Sequence, residues 1–224
     1  MGQDSVARTF CFVDLAGFTA LTEAHGDADA VALLDRFLAM TRESIGAEDE
    51  LVKSIGDAVM LASPRPSVAL RAVVGVVRRC AATSGFPLAR AGAHHGSAIA
   101  RDGDYLGGAV NLAARVAGHA RGGQLLATTG VADAARAEGM EVLDLGPHRL
   151  RNVSEPVQLF EICLGLCEAA DAIDPVCRMR LDPDLAGGSF RHEGAEFWFC
   201  SLACITAFAS DPGRYLPTSP AAGS

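Results

Sequence analysis

The order of the apolar segments limits the folds open to this chain more strongly than any other property. A buried strand is predicted over Arg8–Val13, and the glycine-containing turn 15–19 leads from it into a helix. Two more strands, Leu51–Ser54 and Ala58–Ala62, are separated only by Ile55-Gly56-Asp57, so they are predicted to form an antiparallel hairpin. This order favours an α+β sandwich with an early hairpin over a doubly wound parallel sheet.

Apolar residues at helical spacing predict two longer helices, and His25, just before Gly26, is predicted to end a shorter one. The predicted buried face of the first long helix consists of Val31, Leu34, Leu38 and Ile45. That of the second, which begins near Pro66, consists of Ala69, Val73, Val76, Val77 and Cys80. Later strands and helices are predicted at Leu88–Ala100, Val110–Ala120, Gln124–Thr128, Val131–Glu138, Val142–Leu145 and Val157–Ile162.

The composition changes near residue 163. Most of the 7 cysteines and the single tryptophan lie beyond this point. We therefore predict a large domain over 7–163, a linker over 164–173, a small domain over 174–216 and a disordered tail over 217–224. An odd number of cysteines without a secretion signal argues against a disulfide framework.

Charge and hydropathy exclude several classes of partner. The net charge is −8, and acidic residues are in excess on both sides of residue 165, so the basic surface of a nucleic-acid binder is not expected. The longest uncharged run, Phe197–Ser210, is shorter than the roughly 20 apolar residues that span a bilayer. The N-terminal residues lack the pattern of a signal peptide. We predict no nucleic acid, no membrane and a cytoplasmic location.

Two aspartates form the first candidate site. Asp14 ends the first strand, and Gly17-Phe18-Thr19 lead into a helix whose free N–H groups can bind phosphate. Asp57 lies in the hairpin turn. If the hairpin pairs with the first strand, the two carboxylates meet in the arrangement of a two-metal site for a Mg²⁺-bound triphosphate. Taken singly, each aspartate is more often a turn or capping residue.

Four further residues suit a nucleotide. Lys53 is the only lysine of the chain, and Asp104 lies in a polar, glycine-rich loop. An ammonium that donates to a ring nitrogen and a carboxylate that accepts from an exocyclic amine match adenine, whereas guanine needs the reverse. Asn111 and Arg115 share one helix face and suit a ribose oxygen and a phosphate in a transition state. Each of these four residues, taken alone, has a plainer interpretation as a surface residue. It is much less probable that the plain interpretation holds for all six candidates, the two aspartates included.

Three motifs carry a family resemblance. FVDLAGFT (12–19), KSIGD (53–57) and DYLGGAVNLAARV (104–116), in this order, resemble the class III nucleotidyl cyclase catalytic domain, and residues 145–162 resemble its closing strands. The resemblance implies a ferredoxin-like α+β core and a head-to-tail homodimer. It also implies conversion of ATP to 3′,5′-cyclic AMP and pyrophosphate.

The resemblance implies a role for each candidate residue. Two Mg²⁺ or Mn²⁺ ions would be bound by Asp14, Asp57 and the backbone of Leu15. Adenine, the ribose and the transition state would be contacted by Lys53, Asp104, Asn111 and Arg115. The phosphates would be contacted by Ala16, Gly17, Phe18, Thr19 and Arg151. The two aspartates would come from one protomer and the adenine, ribose and transition-state residues from its partner.

The last domain carries a second candidate metal site. Cys177, Cys200 and Cys204 have a spacing that can converge on a soft metal ion. Residues 174–216 resemble the YHS domain, which implies a zinc or copper ion, although Arg178 stands where that family usually has glycine. The fourth ligand position is open to His192, Met179 or solvent. Cys163 and Cys167 lie outside the matched stretch.

These observations predict an adenylate cyclase whose activity is tuned by metal binding to its C-terminal domain. Two alternatives stay open. One is a metal-binding sensor protein whose cyclase domain is inactive. The other is a guanylate cyclase, against which Lys53 and Asp104 argue.

Overall fold

The structure is a computed structural model that describes residues 5–166 and 172–216. Part of the predicted linker, the predicted tail 217–224 and Cys167 lie outside the described residues. The strands and helices up to residue 166 are β1 (Ser5–Leu15), α1 (Phe18–His25), α2 (Asp27–Ser44), β2 (Glu50–Ile55), β3 (Ala58–Ser63), α3 (Pro66–Ala82), β4 (Ala89–Arg101), β5 (Asp104–Leu106), α4 (Gly108–His119), β6 (Leu125–Ala127), α5 (Thr129–Ala137), β7 (Val142–His148) and β8 (Val157–Ile162). Those beyond it are β9 (Ala172–Ile173), β10 (Arg180–Leu181), β11 (Gly188–His192), β12 (Ala195–Phe199) and α6 (Leu202–Ser210).

One large mixed sheet organises residues 5–162. Its strand order is β2-β3-β1-β4-β6-β8-β7, with β5 paired to β4. The β4–β6 pair is parallel, and the other pairs are antiparallel. The predicted hairpin is present as β2 and β3, and β3 pairs with β1. The prediction of an α+β fold is thereby confirmed.

The central strand β1 is buried on both faces. Because side chains alternate along a strand, Phe10 and Phe12 enter one apolar cluster while Cys11 and Val13 enter the main core on the other face. The stripe predicted for α3 is confirmed, since all five of its residues are buried in the main core. No helix within the described residues is long and apolar enough to cross a lipid bilayer.

The face predicted for α2 is wrong by part of a turn. The buried residues are Ala30, Leu33, Phe37 and Thr41, whereas Val31 is 57% exposed. The helix is rotated so that Phe37 points into the core, because an aromatic ring buries more apolar area than any other side chain of this helix. The predicted residues Leu34, Leu38 and Ile45 pack only at the edge of the core.

The C-terminal part packs directly against the large sheet domain. Residues 178–180 run beside residues 85–88: Gly85 N donates to Arg180 O (2.9 Å) and Leu88 N to Arg178 O (3.2 Å). Phe199 and Phe208, from β12 and α6, belong to the same core as α3. The two parts of the chain therefore share one apolar core.

Candidate nucleotide site and cysteine cluster

The two predicted metal-binding aspartates lie together at one end of β1. The β1–β3 register places Asp14 opposite Ala58, next to the turn that holds Asp57, and Leu15 N donates to Asp57 O at 3.3 Å. Burial, reinforced by the charge of Asp14, raises the pKa of Asp57 to about 6. Two crowded carboxyl groups of this kind gain from a divalent cation placed between their oxygens.

Arg90 is a site residue that the sequence did not reveal. It lies directly opposite Asp14 in the β1–β4 register, and its Nε and Nη2 donate to Asp14 Oδ2 at 2.8 and 2.5 Å. The guanidinium holds the Asp14 carboxylate in place. Only the pairing of two strands 76 residues apart creates this contact, so no local spacing could have indicated it.

Asp57 borders an open cleft of about 800 Å³. Gly17, the N-cap of α1, has φ 75°, a left-handed conformation that glycine adopts without strain, so α1 begins at the cleft. One wall is the predicted phosphate-binding segment with Asp57 and Arg90. Further lining residues were not predicted and come from the C-terminal part: Pro175, Val176, Arg178, Arg214, Tyr215 and Leu216.

The predicted adenine-binding pair is also brought together. Lys53 Nζ donates to Asp104 Oδ2 at 2.5 Å, and Tyr105 N donates to Asp104 Oδ1 at 2.8 Å. These hydrogen bonds, that of Lys53 first, lower the pKa of Asp104. Both side chains of the pair are about one-third exposed, so a base can reach them.

Asn111 and Arg115 lie on α4, beside a different cavity of about 500 Å³. Asn152, Val153 and Ser154 also line it, and Arg151 is exposed in the same turn. Within the described residues of one chain, the six predicted residues thus form three separate pairs. Neither α4 residue and neither member of the Lys53–Asp104 pair lines the cleft that holds Asp57.

The three predicted cysteines converge, and a histidine completes the group. Cys177 Sγ and Cys204 Sγ each lie 3.5 Å from Cys200 Sγ. His25 Nε2 lies 3.2 Å from Cys200 Sγ and 3.9 Å from Cys204 Sγ, and the four atoms lie within 4.8 Å of one another. We call these four residues the cysteine cluster. The sequence correctly predicted that His25 ends a helix but missed this partnership.

His192 is not a member of the cysteine cluster, in which His25 is the nitrogen donor beside the three sulfurs. The His192 ring packs edge-on against Phe208 at 5.9 Å, because β11 turns this side chain onto α6. Met179 is buried in the main core. Cys163 directly follows β8, and its amide donates to Glu141 O.

The buried Asp174 carboxylate accepts hydrogen bonds from the backbone of the cysteine cluster. Its Oδ1 accepts from Cys177 N at 3.3 Å and its Oδ2 accepts from Cys200 N at 2.9 Å, so one carboxylate holds both cysteine-bearing segments. Hydrogen bonds from Cys177 and Cys200 lower the pKa of the Cys204 thiol to about 5. A thiolate beside two further thiols is the donor chemistry of a zinc or copper site.

Comparisons with known proteins bear on both parts of the chain. Residues 172–219 match the YHS domain family. A pH-sensitive adenylate cyclase of Mycobacterium tuberculosis is 36% identical over 185 residues, which cover 81% of this chain and 45% of that protein. This chain therefore spans about half the length of that relative.

Two further similarities concern shorter or more distant matches. A copper-transporting P-type ATPase of Rhizobium leguminosarum is 47% identical over 51 residues, which cover 22% of this chain and 6% of that protein. A structure of Trypanosoma brucei adenylate cyclases in their monomeric state superposes with a TM-score of 0.65 at 22% identity, covering 70% of this chain and 90% of that one. The chain therefore combines the class III nucleotidyl cyclase fold with a C-terminal YHS domain.

Proposed function

We propose that this protein is an adenylate cyclase that converts ATP to 3′,5′-cyclic AMP and pyrophosphate. The observation that carries the proposal is the meeting of Asp14 and Asp57 at one end of β1, where Asp57 borders a cleft that the first turn of α1 and several arginines also line. Carboxylates for divalent cations and N–H groups for phosphate are the two requirements of a metal–triphosphate site. The similarity to an adenylate cyclase supports the same reaction.

The residues present suit two Mg²⁺ or Mn²⁺ ions. Asp14, Asp57 and the Leu15 carbonyl would hold them, and the ions would supply charge neutralisation and activation of the ribose 3′-hydroxyl. That oxygen attacks the α-phosphorus in line, its bond to phosphorus forms, and the bond to the β-phosphate oxygen breaks. The N–H groups of residues 17–19 and the positive charge of Arg151 would bind the departing pyrophosphate. Ala16, also predicted to contact the phosphates, does not offer its N–H group, because it already donates to Leu88 O at 2.9 Å.

We propose that two copies complete each active site. Asn111 and Arg115 lie beside another cavity than the aspartates, so a single chain does not assemble the six residues around one nucleotide. A head-to-tail homodimer would bring the α4 residues of one protomer to the aspartates of its partner. It would contain two equivalent sites.

The proposed preference for adenine rests on the Lys53–Asp104 pair. The ammonium donates and the carboxylate accepts, which complements N1 and the N6 amine of adenine. In the free protein the two groups satisfy each other at 2.5 Å. ATP binding therefore exchanges this ion pair for two hydrogen bonds to the base. We further propose a cytoplasmic location, where ATP is available.

The C-terminal region would add regulation. We propose that Cys177, Cys200 and Cys204 bind a zinc or copper ion and that its occupancy tunes the cyclase. We assign residues 7–163 to the catalytic domain and 174–216 to the regulatory one.

The test is an assay of the full chain with ATP or GTP in the presence of Mg²⁺ or Mn²⁺, with cyclic nucleotide quantified. We expect cyclic AMP as the main product and a loss of about 100-fold or more in Asp57→Ala, which lacks a metal ligand. Asp102→Ala is the matched control, because Asp102 is an exposed loop aspartate and should leave the rate unchanged. Mainly cyclic GMP would favour the guanylate cyclase alternative. No product from either nucleotide would favour a metal sensor with an inactive cyclase domain.

A further inference from the structure

We infer that the metal site is shared between the two parts of the chain, with His25 of α1 as its fourth ligand, so that the bound ion ties the YHS domain to the cyclase domain. The ligand chemistry is three sulfurs and one imidazole nitrogen. This set suits Zn²⁺ or a similar borderline-soft divalent cation. The site itself does not depend on the proposed function, whereas its effect on ATP binding does.

The spacing of the donor atoms matches a tetrahedral ion. With Zn–S near 2.3 Å and Zn–N near 2.0 Å, tetrahedral geometry requires sulfurs about 3.8 Å apart and a nitrogen about 3.5 Å from each sulfur. Two of the three sulfur pairs measure 3.5 Å, His25 Nε2 lies 3.2 and 3.9 Å from two sulfurs, and all four donor atoms lie within 4.8 Å of one another. A disulfide would need sulfurs about 2.05 Å apart, so these distances indicate shared coordination and not a covalent bond.

The surroundings hold the ligands in this arrangement. Cys177 and Cys204 are buried, and the Asp174 carboxylate fixes the backbone amides of Cys177 and Cys200. Outer contacts of this kind orient the ligands of metal sites. Ser201 caps α6 by accepting from Cys204 N at 3.3 Å, which fixes the start of the helix that carries Cys204.

The approach of His25 to the cysteines does not depend on the cluster alone. The backbone pairing of residues 85–88 with 178–180 already docks the YHS domain on the cyclase domain. Arg214 adds an ion pair to Glu23 of α1 at 3.8 Å. An ion in the cluster would therefore join two surfaces that are packed before it binds, and it would lock α1 between them.

The two ends of α1 serve two different sites. Eight residues span about 12 Å, with Gly17 and the cleft at one end and His25 at the other. Cys177, a ligand, is followed by Arg178, whose Cγ would lie 2.8 Å from a Cβ on Gly17. Metal coordination by Cys177 would therefore hold Arg178 more firmly against the phosphate-binding turn, where the backbone pairing already places it. Because Arg178 adds positive charge to the cleft, occupancy of the cluster should strengthen ATP binding.

The first experiment measures metal binding by the full-length protein, prepared metal-free under reducing conditions. We expect one Zn²⁺ per chain at the cluster, and with Co²⁺ as probe the visible bands of tetrahedral thiolate coordination. His25→Ala should weaken Zn²⁺ binding by about 100-fold or more, since it removes one of four ligands. His25→Cys should restore it. His192→Ala is the matched control and should bind like wild type.

Three results would overturn the proposed bridge, the metal ion bound by His25 and the three cysteines that links the two domains. The first is unchanged affinity and Co²⁺ spectrum in His25→Ala. The second is a loss in His192→Ala, which would place the site within the YHS domain. The third is a wild-type protein that binds no stoichiometric Zn²⁺. Circular dichroism of each variant shows whether it is folded, and the rescue by His25→Cys separates loss of a ligand from damage to α1.

A second measurement tests the link between domains. Zn²⁺ should slow amide hydrogen exchange in residues 18–25 of the wild type and leave it unchanged in His25→Ala. In the cyclase assay, Zn²⁺ should lower the KM for ATP about tenfold in wild type only. Zn²⁺ bound through His25 in a chain that forms no cyclic nucleotide would refute the proposed function and leave the bridge standing. Unchanged exchange in the wild type would contradict the bridge itself.

Discussion

Arg178 is the residue at which backbone strain and the proposed function meet. Its φ is 60°, a left-handed conformation that costs a non-glycine residue about 1–2 kcal/mol. The sequence resemblance already singled it out, because the YHS family usually has glycine there. The structure supplies the compensation: the Arg178 side chain lies in the wall of the cleft, beside Gly17.

We predict that Arg178→Gly separates these two effects. Removing the strain should raise the free energy of unfolding by about 1 kcal/mol, measured by urea denaturation. Removing the guanidinium should raise the KM for ATP about tenfold, the value of one charged hydrogen bond.

Glu193→Gly is the matched control for this prediction. Glu193 also has a left-handed φ, 48°, and lies in the exposed β11–β12 turn. The Glu193→Gly variant should gain a similar free energy of unfolding without a change in the KM for ATP. An unchanged KM in Arg178→Gly would show that its guanidinium does not contact the nucleotide.

At the scale of elements, the close packing of α4 on β4 positions Asn111 and Arg115. A Cβ added to Gly92 of β4 would lie 2.0 Å from the amide nitrogen of Ala117 in α4. Only a residue without a side chain allows this approach. We predict that Gly92→Ala lowers the free energy of unfolding by about 3 kcal/mol, because neither backbone can move aside cheaply.

Gly118→Ala tests the same helix without this contact. Gly118 is exposed near the end of α4, and an added Cβ would meet open space. Urea denaturation should therefore show a gain of about 0.5 kcal/mol. Equal stability of the two alanine variants would contradict the described packing of α4 on β4.

At the scale of the whole molecule, the proposed homodimer predicts complementation between inactive variants. Asp57→Ala removes a proposed metal ligand of the active site. Arg115→Ala removes the residue proposed to stabilise the transition state, which the other protomer contributes. In a mixed dimer one site carries both lesions and the other carries neither. Because random mixing makes half of the dimers mixed, equal amounts should recover about a quarter of wild-type activity.

Each variant alone, assayed at the same total concentration, is the control for this mixture. Activity no greater than that of the two separate variants would contradict sites that are shared between protomers.

The amount that could be predicted from the sequence differs between parts of the site. The three-residue turn predicted the β2–β3 hairpin, whereas the pairing of β3 with β1, which brings Asp57 to Asp14, entered the sequence analysis only as a condition. The Cys177, Cys200 and Cys204 set was likewise visible in its spacing. Arg90 and His25 were not, since each meets its partner only through segments far apart in the chain, 175 residues apart for His25 and Cys200.

The sequence by itself determined which segments become strands and helices and which chemical groups the chain offers, because periodicity and turn chemistry are local. It left open the rotation of α2, which depended on where Phe37 packs best. Only the tertiary structure decided the strand register that pairs Arg90 with Asp14 and the docking that brings His25 to the cysteines and Arg178 to Gly17. Those outcomes depend on apolar burial summed over the whole shared core, which no short segment encodes.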